Sequence, residues 1–400
     1  MQRDLQIDFV RGAGILMIAV DHLGYLAERF VPVGYVNPFV TWMRLGWSSA
    51  AEFFVFFSGY LTGLVYLKTL QVHGPAMLWA RAGHRSWHIY AVNVLTLCAV
   101  VLLLRIPAFA SDELGRVTAM QALQSGSGFA EFLMLRSSPL FFEILFLYIA
   151  LLLVAPVILL IARTSLIAAC ALSILAWLTV QVNPSLNIAQ WSLNPLAWQL
   201  IFVLGMISAI GGVFGKLRQA FSRQRLLIVS GGLLAAALLV KVLDKSGLSL
   251  PLLGPINVHG TDKASLGPMR VLHFLVSVVF VMQIVPRSEV IRSALWARAV
   301  AGVGQRSLEC FCLSTIAVYA TVGLLAQTGA FEVMPLLASG AAIVVLLCLL
   351  APVVQWIEAQ AWRKSEGRKS EGHKSEARAG RTAIERMTPT SRPLTLRDVP

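Results

Sequence analysis

The feature that most constrains this chain is a recurring apolar block about twenty residues long, the first of which runs from about 7 to 27. Twenty residues of helix rise about 30 Å, the thickness of a bilayer's hydrocarbon core. Ten such blocks are read, at about 7–27, 47–67, 87–106, 139–161, 165–182, 195–212, 225–243, 269–286, 307–326 and 334–357. A segment crossing lipid must satisfy its own backbone hydrogen bonds, so each block is predicted to be helical. The short alternating strands of an outer-membrane barrel are not seen. Composition agrees: of 400 residues, 57% are hydrophobic and only 13% charged, against roughly a quarter charged in a soluble domain. The expected fold class is an all-α polytopic integral membrane protein, with a transmembrane domain over 1–357 and a low-complexity tail over 358–400.

The formal net charge of +13 raises nucleic acid as a partner, but the cations sit beside the apolar blocks, where membrane topology accounts for them. With the N-terminus inside, the inside loops hold Lys68, Arg81, Arg85, Arg163, Lys216, Arg218, Arg223, Arg225, Arg287, Arg292, Arg298 and Arg306. The longer outside loops hold fewer: Arg29, Arg44, Arg116, Arg136, Lys245 and Lys263. Positive charge concentrates in cytoplasmic loops, so both termini are expected in the cytoplasm. The first block lacks a small-residue cleavage site and contains Asp21 and His22, so it reads as a retained span. Cys98, Cys170, Cys310, Cys312 and Cys348 all fall inside apolar blocks without metal-ligand spacing. They read as small core hydrophobes, with no metal site expected. The tail carries RKSEG, RKSEG and HKSEA in tandem over 363–377; such a segment cannot bury a core. Its cations either stay solvated or touch anionic lipid.

Charge inside the blocks is the second signal. At about 100° per residue, Arg11 and His22 lie within about 20° of one another on a helix, and Asp8 within about 60° of Arg11. Eleven residues rise about 16 Å, which sets Arg11 near the cytoplasmic boundary and His22, with Asp21 beside it, in the outer third. Glu52, Glu143, the pair Arg270 and His273, and the run Asn194, Trp198 and Gln199 enter their own blocks at that same outer depth. Singly, each has a plain explanation. Arg11 can snorkel and pair with Asp8, Arg270 can anchor a boundary, and a lone His22 or Glu52 can be a satisfied interior group. Several ionisable groups at one depth point instead to a functional cavity, lined by His22, Glu52 and Glu143. On the cytoplasmic side, ARAGHRSWHIY (80–90) supplies Arg81, His84, Arg85 and His88, and GQRSLECFC (304–312) adds Arg306 and Glu309. These are either topological charge or an anion site for a phosphorylated donor, whose oxygens the arginine fork matches.

Arg11, ten intervening residues and His22 match the R/K-x10-H pattern of the membrane-bound acyltransferase-3 superfamily. More narrowly, RDLQIDFVRG (3–12), AAEFFVFFSGY (50–60), NPLAWQLIFVLG (194–205) and RVLHF (270–274) resemble the OpgC family, which adds succinyl groups to osmoregulated periplasmic glucans. The resemblance runs from about residue 3 to 357. One departure is at the start of the third span, where the superfamily often has R-x-x-R and this chain reads Arg85-Ser-Trp-His88; Arg81 lies one turn away.

The resemblance implies an O-acyltransferase in a bacterial inner membrane, with acyl-CoA (succinyl-CoA) as co-substrate, a periplasmic glucan as acceptor and no permanently bound cofactor. It further implies that Arg85, helped by Arg81 or Arg11, holds the donor's phosphates. His22 would take the proton of a sugar hydroxyl or carry the acyl group itself, with Glu52 or Asp21 orienting the imidazole. Glu143, Arg270, His273, Asn194 and Trp198 would face the glycan or the thioester, Arg270 being the cation expected for a succinyl carboxylate. The rival class is a transporter or flippase, which would also bury charge mid-membrane; neither internal repeats nor paired broken helices are evident in the sequence.

Overall fold

A computed structural model describes residues 4–31, 37–120, 123, 125–186, 192–245 and 260–357. The tail expected beyond 357, and most of the outside segment at 244–268, lie outside the described residues. The chain divides into two units, Met1–Ala351 and Pro352–Pro400, and the helices that build the site belong to the first. The described residues are helical, with no strand among them.

The main helices are α1 (Leu5–Ala27), α2 (Ala50–Leu103), α3 (Glu143–Thr164), α4 (Leu166–Val182), α5 (Pro195–Ile210), α6 (Val213–Ala220), α7 (Arg223–Lys245), α8 (Pro268–Ile284), α9 (Leu295–Gln305), α10 (Ser307–Thr328) and α11 (Val333–Ile357). Each of the ten apolar blocks is helical. The second and third share α2, whose 54 residues bend at Gly74, where φ is 76° and Pro75 follows. A positive φ suits glycine, and proline is at home in the first turn of the arm it opens. The stretch 68–86, expected as a loop, is therefore helix apart from that break, and Arg81 and Arg85 project from a helix.

Six helices are long and apolar enough to cross a membrane, or seven if α5 and α6, bent by 69°, form one span. That count takes α2, which carries two of the ten blocks, as one helix, and leaves out two short apolar helices. Helices α4 and α8 have 17 residues each, which rise about 26 Å against a core of about 30 Å. Many large apolar side chains are exposed, including Ile228 at 63% and Val229 at 61% on α7, as a lipid-facing helix requires. The chain is a helical membrane protein.

Packing begins at two glycine contacts. A Cβ on Gly12 of α1 would lie 1.8 Å from the Val300 carbonyl oxygen, and one on Gly304 of α9 would lie 1.8 Å from the Asp8 carbonyl oxygen. A Cβ on Gly59 of α2 would lie 2.0 Å from the Phe202 carbonyl oxygen, and one on Gly205 of α5 2.0 Å from that of Phe56. Small residues let helix backbones approach where lipid gives little hydrophobic drive for association. These contacts seat α1 on α9 and α2 on α5, and α3 and α10 pack on the same central helices.

Candidate active site

Two cavities open between these helices, and α1 contributes to both. The inner one, about 360 Å³, is lined by Arg11, Arg81, His84 and Arg85, with Tyr66, Tyr148, Phe54 and Ser307 among its other walls. The guanidinium of Arg11 donates to Ser307 Oγ and lies 5.8 Å over the Phe54 ring. Arg81 donates to Thr69 Oγ1 at 2.6 Å, and Arg85 lies 3.4 Å from His88 Nδ1. Three arginines and a histidine from α1 and the second arm of α2 thus converge on one pocket. His88 itself does not line it.

The outer cavity, about 330 Å³, is lined by Asp21, His22, Tyr25, Ser49, Phe141, Glu143, Ser192 and Lys263, among others. His22 stands eleven residues and about 16 Å along α1 from Arg11, as the helical spacing requires. Phe311 of α10 belongs to both cavities and is itself only 2% exposed. It is the residue that the two linings share.

The imidazole of His22 is held by aromatic rings. Phe141 stacks on it with ring centroids 3.7 Å apart, and Phe311 meets it edge-on at 6.2 Å. Phe141 adopts φ 77°, a left-handed conformation unusual for a bulky residue; backbone strain of this kind tends to sit at functional positions. The residue is fixed from both sides: Glu143 accepts its N–H at 3.0 Å, and the carbonyl of the preceding Leu140 accepts from Tyr319. His22 Nδ1 is buried with no hydrogen-bond partner among the described residues.

That arrangement revises the expected carboxylate partners. Glu52 is fully buried and does not line the outer cavity. It sits at the third position of α2 and closes a capping box, accepting from the Ser49 N–H at 2.8 Å and from the Ser49 hydroxyl. Its other oxygen pairs with Arg270 Nε. Glu52 therefore does not orient His22: its carboxylate is taken by a helix cap and an arginine. Asp21 does line the cavity, and accepts from the Thr41 hydroxyl.

Arg270 and His273 stand behind the chamber wall. Arg270 also reaches Ser49 Oγ at 3.4 Å, and Ser49 is the chamber residue that covers this pair. His273 Nδ1 lies 2.7 Å from Ser48 Oγ and props the turn leading into α2. Asn194 and Trp198 are buried too. They hold a loop in place: the Asn194 N–H donates to Ala264 O at 3.0 Å, and Trp198 Nε1 to Lys263 O at 3.0 Å. From α4, Gln181 donates to Ser265 O at 2.7 Å and Trp177 to Leu266 O at 2.8 Å.

The loop so clamped presents Lys263 to the outer cavity. Its side chain is accessible. Burial lowers the lysine's pKa from its usual range; Arg270 reinforces the shift, and Glu52, Glu143 and Asp21 oppose it. Sequence reasoning counted Lys263 only as a loop cation and passed over Phe141 and Phe311 altogether. Nothing in a run such as SSPLFFEILF distinguishes a ring that clamps an imidazole from one that fills a core.

Fold and site together define a helical membrane protein with a cationic inner pocket and a histidine-bearing outer chamber. A family model described as OpgC protein matches residues 3–359, and the chain belongs to that family. Membership points to glucan modification of an acyltransferase kind. No curated protein and no solved structure matches the chain.

Proposed function

We propose that this protein is a transmembrane O-acyltransferase of the acyltransferase-3 type, moving a succinyl group from cytoplasmic succinyl-CoA to a hydroxyl of a periplasmic glucan. It would sit in a bacterial inner membrane with both termini cytoplasmic, the shorter helices completing ten crossings where the bilayer thins locally. The observation that carries this reading is the pair of chambers meeting at Phe311, with Arg11 in one and His22 in the other along a single helix.

The inner pocket suits the donor's phosphates, since three arginine forks and His84 face it and phosphate oxygens accept from such forks in pairs. The pantetheine arm would pass Phe311 and bring the thioester beside His22. There His22 takes the proton of the attacking sugar hydroxyl as its oxygen bonds to the carbonyl carbon. Collapse of the tetrahedral intermediate breaks the carbon–sulfur bond, and the proton passes from His22 to the departing sulfur. Phe141 holds the ring in place through the cycle, and Asp21 and Glu143 flank the acceptor hydroxyl.

Mass spectrometry of periplasmic glucans tests this in cells carrying the protein, lacking it, or carrying His22→Ala. The expected result is a succinyl mass increment with the protein only, with His22→Ala still present in the membrane fraction. Normal glucan modification by His22→Ala would remove the proposed base. Unmodified glucan accumulating on the wrong side of the membrane in the deletion would favour a flippase.

A further inference from the structure

A third cavity, of about 300 Å³, lies at the end of the bundle where α1 begins, and it shares no residue with the inner pocket. Three separate segments each bring polar groups to it: Gln6 from the first turn of α1, Arg218 and Arg223 from either side of the α6–α7 junction, and Arg287 from just beyond α8. The walls are tied together through main-chain oxygens. Gln6 Nε2 donates to Pro286 O at 3.1 Å, and Arg223 reaches Gln283 O with Nε at 3.0 Å and Nη2 at 2.6 Å. Arg223 is thereby oriented without being neutralised, since a carbonyl carries no formal charge. Arg218 and Arg287 make no hydrogen bond or ion pair with a described residue, and all three side chains are accessible. No acid among the described residues lines the cavity. Asp4, close by in the chain, is turned to its own helix, accepting from the Gln6 and Ile7 N–H groups at 3.0 and 3.4 Å. Topology asks only for cations at this end of the bundle. It does not ask that three of them, from separate segments, share one cavity.

The cavity also adjoins the lipid-facing surface. Helix α6 turns by 69° from the line of α5, and Phe221, which follows it and lines the cavity, is 49% exposed. Helix α7 starts at Arg223 and shows Ile228 and Val229 to lipid only about 8 Å further along its axis. Met282 and Val285, both buried, add apolar walls. We infer that this cavity binds the phosphate of an anionic phospholipid headgroup from the leaflet at that end, with Arg218, Arg223 and Arg287 donating to its oxygens and Phe221 lying against the glycerol. Arginine forks match phosphate oxygens, and basic pockets between membrane helices hold such headgroups. A zwitterionic headgroup would carry its own ammonium into a cluster of three cations, which opposes it. A soluble phosphate would gain nothing from Phe221 or from the apolar face of α7. The site stands whether or not acyl transfer is the reaction.

The test is native mass spectrometry of the full-length protein in neutral detergent, titrated with phosphatidylglycerol, with phosphatidylcholine of the same acyl chains, and with glycerol 3-phosphate. The wild type is expected to bind phosphatidylglycerol at least about tenfold more tightly than phosphatidylcholine. Arg218→Gln and Arg287→Gln break no hydrogen bond of the fold, and each should weaken phosphatidylglycerol binding by about fivefold, the effect of one cation near a lipid surface. The double variant should lose most of the preference while phosphatidylcholine binding and the Tm without lipid stay at wild-type values. If the double variant does not fold, the two single variants carry the reading. Arg292→Gln with Arg298→Gln, which removes two cations of the same end of the bundle from outside the cavity, should leave the preference intact. An equal loss in that control, or a preference that survives Arg218→Gln and Arg287→Gln, overturns the site. Glycerol 3-phosphate binding as tightly as phosphatidylglycerol would make the ligand a soluble phosphate and overturn the lipid assignment.

Discussion

His22 and Phe141 lie face to face, their rings 3.7 Å apart and inclined by 8°, and the backbone of Phe141 is bent into a left-handed conformation to make the contact. In a hydrolase triad an acid holds the histidine by a hydrogen bond; here a ring holds it by its face. The difference has a consequence for mutation. Phe141→Ala removes the ring and frees the imidazole to sample other rotamers, so acyl transfer should fall at least tenfold through kcat, with donor KM little changed. Glu52→Gln, which keeps the capping geometry, should leave the pH profile of transfer unmoved. Steady-state kinetics across pH distinguishes a clamp at Phe141 from a triad acid at Glu52.

Phe311, common to both linings, makes a separate prediction. If the thioester passes this ring, its size decides between passage and leakage. Phe311→Trp should block transfer while donor still binds the inner pocket. Phe311→Ala should join the chambers and admit water to the thioester, so acyl-CoA hydrolysis without glucan should rise several-fold over wild type. A thiol-release assay on proteoliposomes reads both. Unchanged hydrolysis in Phe311→Ala together with unchanged transfer in Phe311→Trp would mean the donor takes another route.

Much of this was legible in the sequence, and what was missed has physical causes. The Arg11–His22 register is a property of helix pitch alone, and α1 reproduces it. The gathering of Arg81, His84 and Arg85 was readable because so many cations at one span's end are unusual. Burial of the Glu52–Arg270 pair was not: a carboxylate at outer depth looks the same whether it faces a chamber or an arginine from a helix 218 residues away. The reach of α2 through 68–86 was hidden because polar residues suggested a loop, while only Gly74 and Pro75 interrupt helical geometry there. Lys263 was obscured by sitting in a loop, where lysine is ordinary; its meaning comes from the tryptophans and glutamine that fasten that loop over a cavity.

The inner arginines should act on donor binding rather than on chemistry. Arg85→Ala and Arg81→Ala are each expected to raise the KM for acyl-CoA roughly tenfold, the effect of losing one charge-assisted bond, with kcat nearly preserved. The dependence of KM on salt should flatten in both, because each removes a cation facing a polyanion. Arg11→Lys should be milder than Arg11→Ala, since it keeps charge but loses the fork that spans Ser307. Initial-rate measurements at two ionic strengths check all three.

The buried pair of Glu52 and Arg270 carries the last prediction, and it concerns folding. Both groups are nearly without solvent, so removing one leaves the other charged in a place water does not reach. Glu52→Ala should therefore cost about 3–5 kcal/mol, as does Arg270→Ala, because breaking such a pair strands its partner. The double variant Glu52→Ala with Arg270→Met strands neither charge and should recover most of that loss, though the Glu52 half of the capping box on α2 stays missing, worth about 1 kcal/mol. Thermal unfolding of the detergent-solubilised protein reads this as a large drop in Tm for each single variant and a smaller one for the double. If Glu52→Ala instead kept its Tm and lost only activity, the carboxylate would belong to the reaction after all, and the division between a reactive chamber and a structural wall behind Ser49 would have to be redrawn.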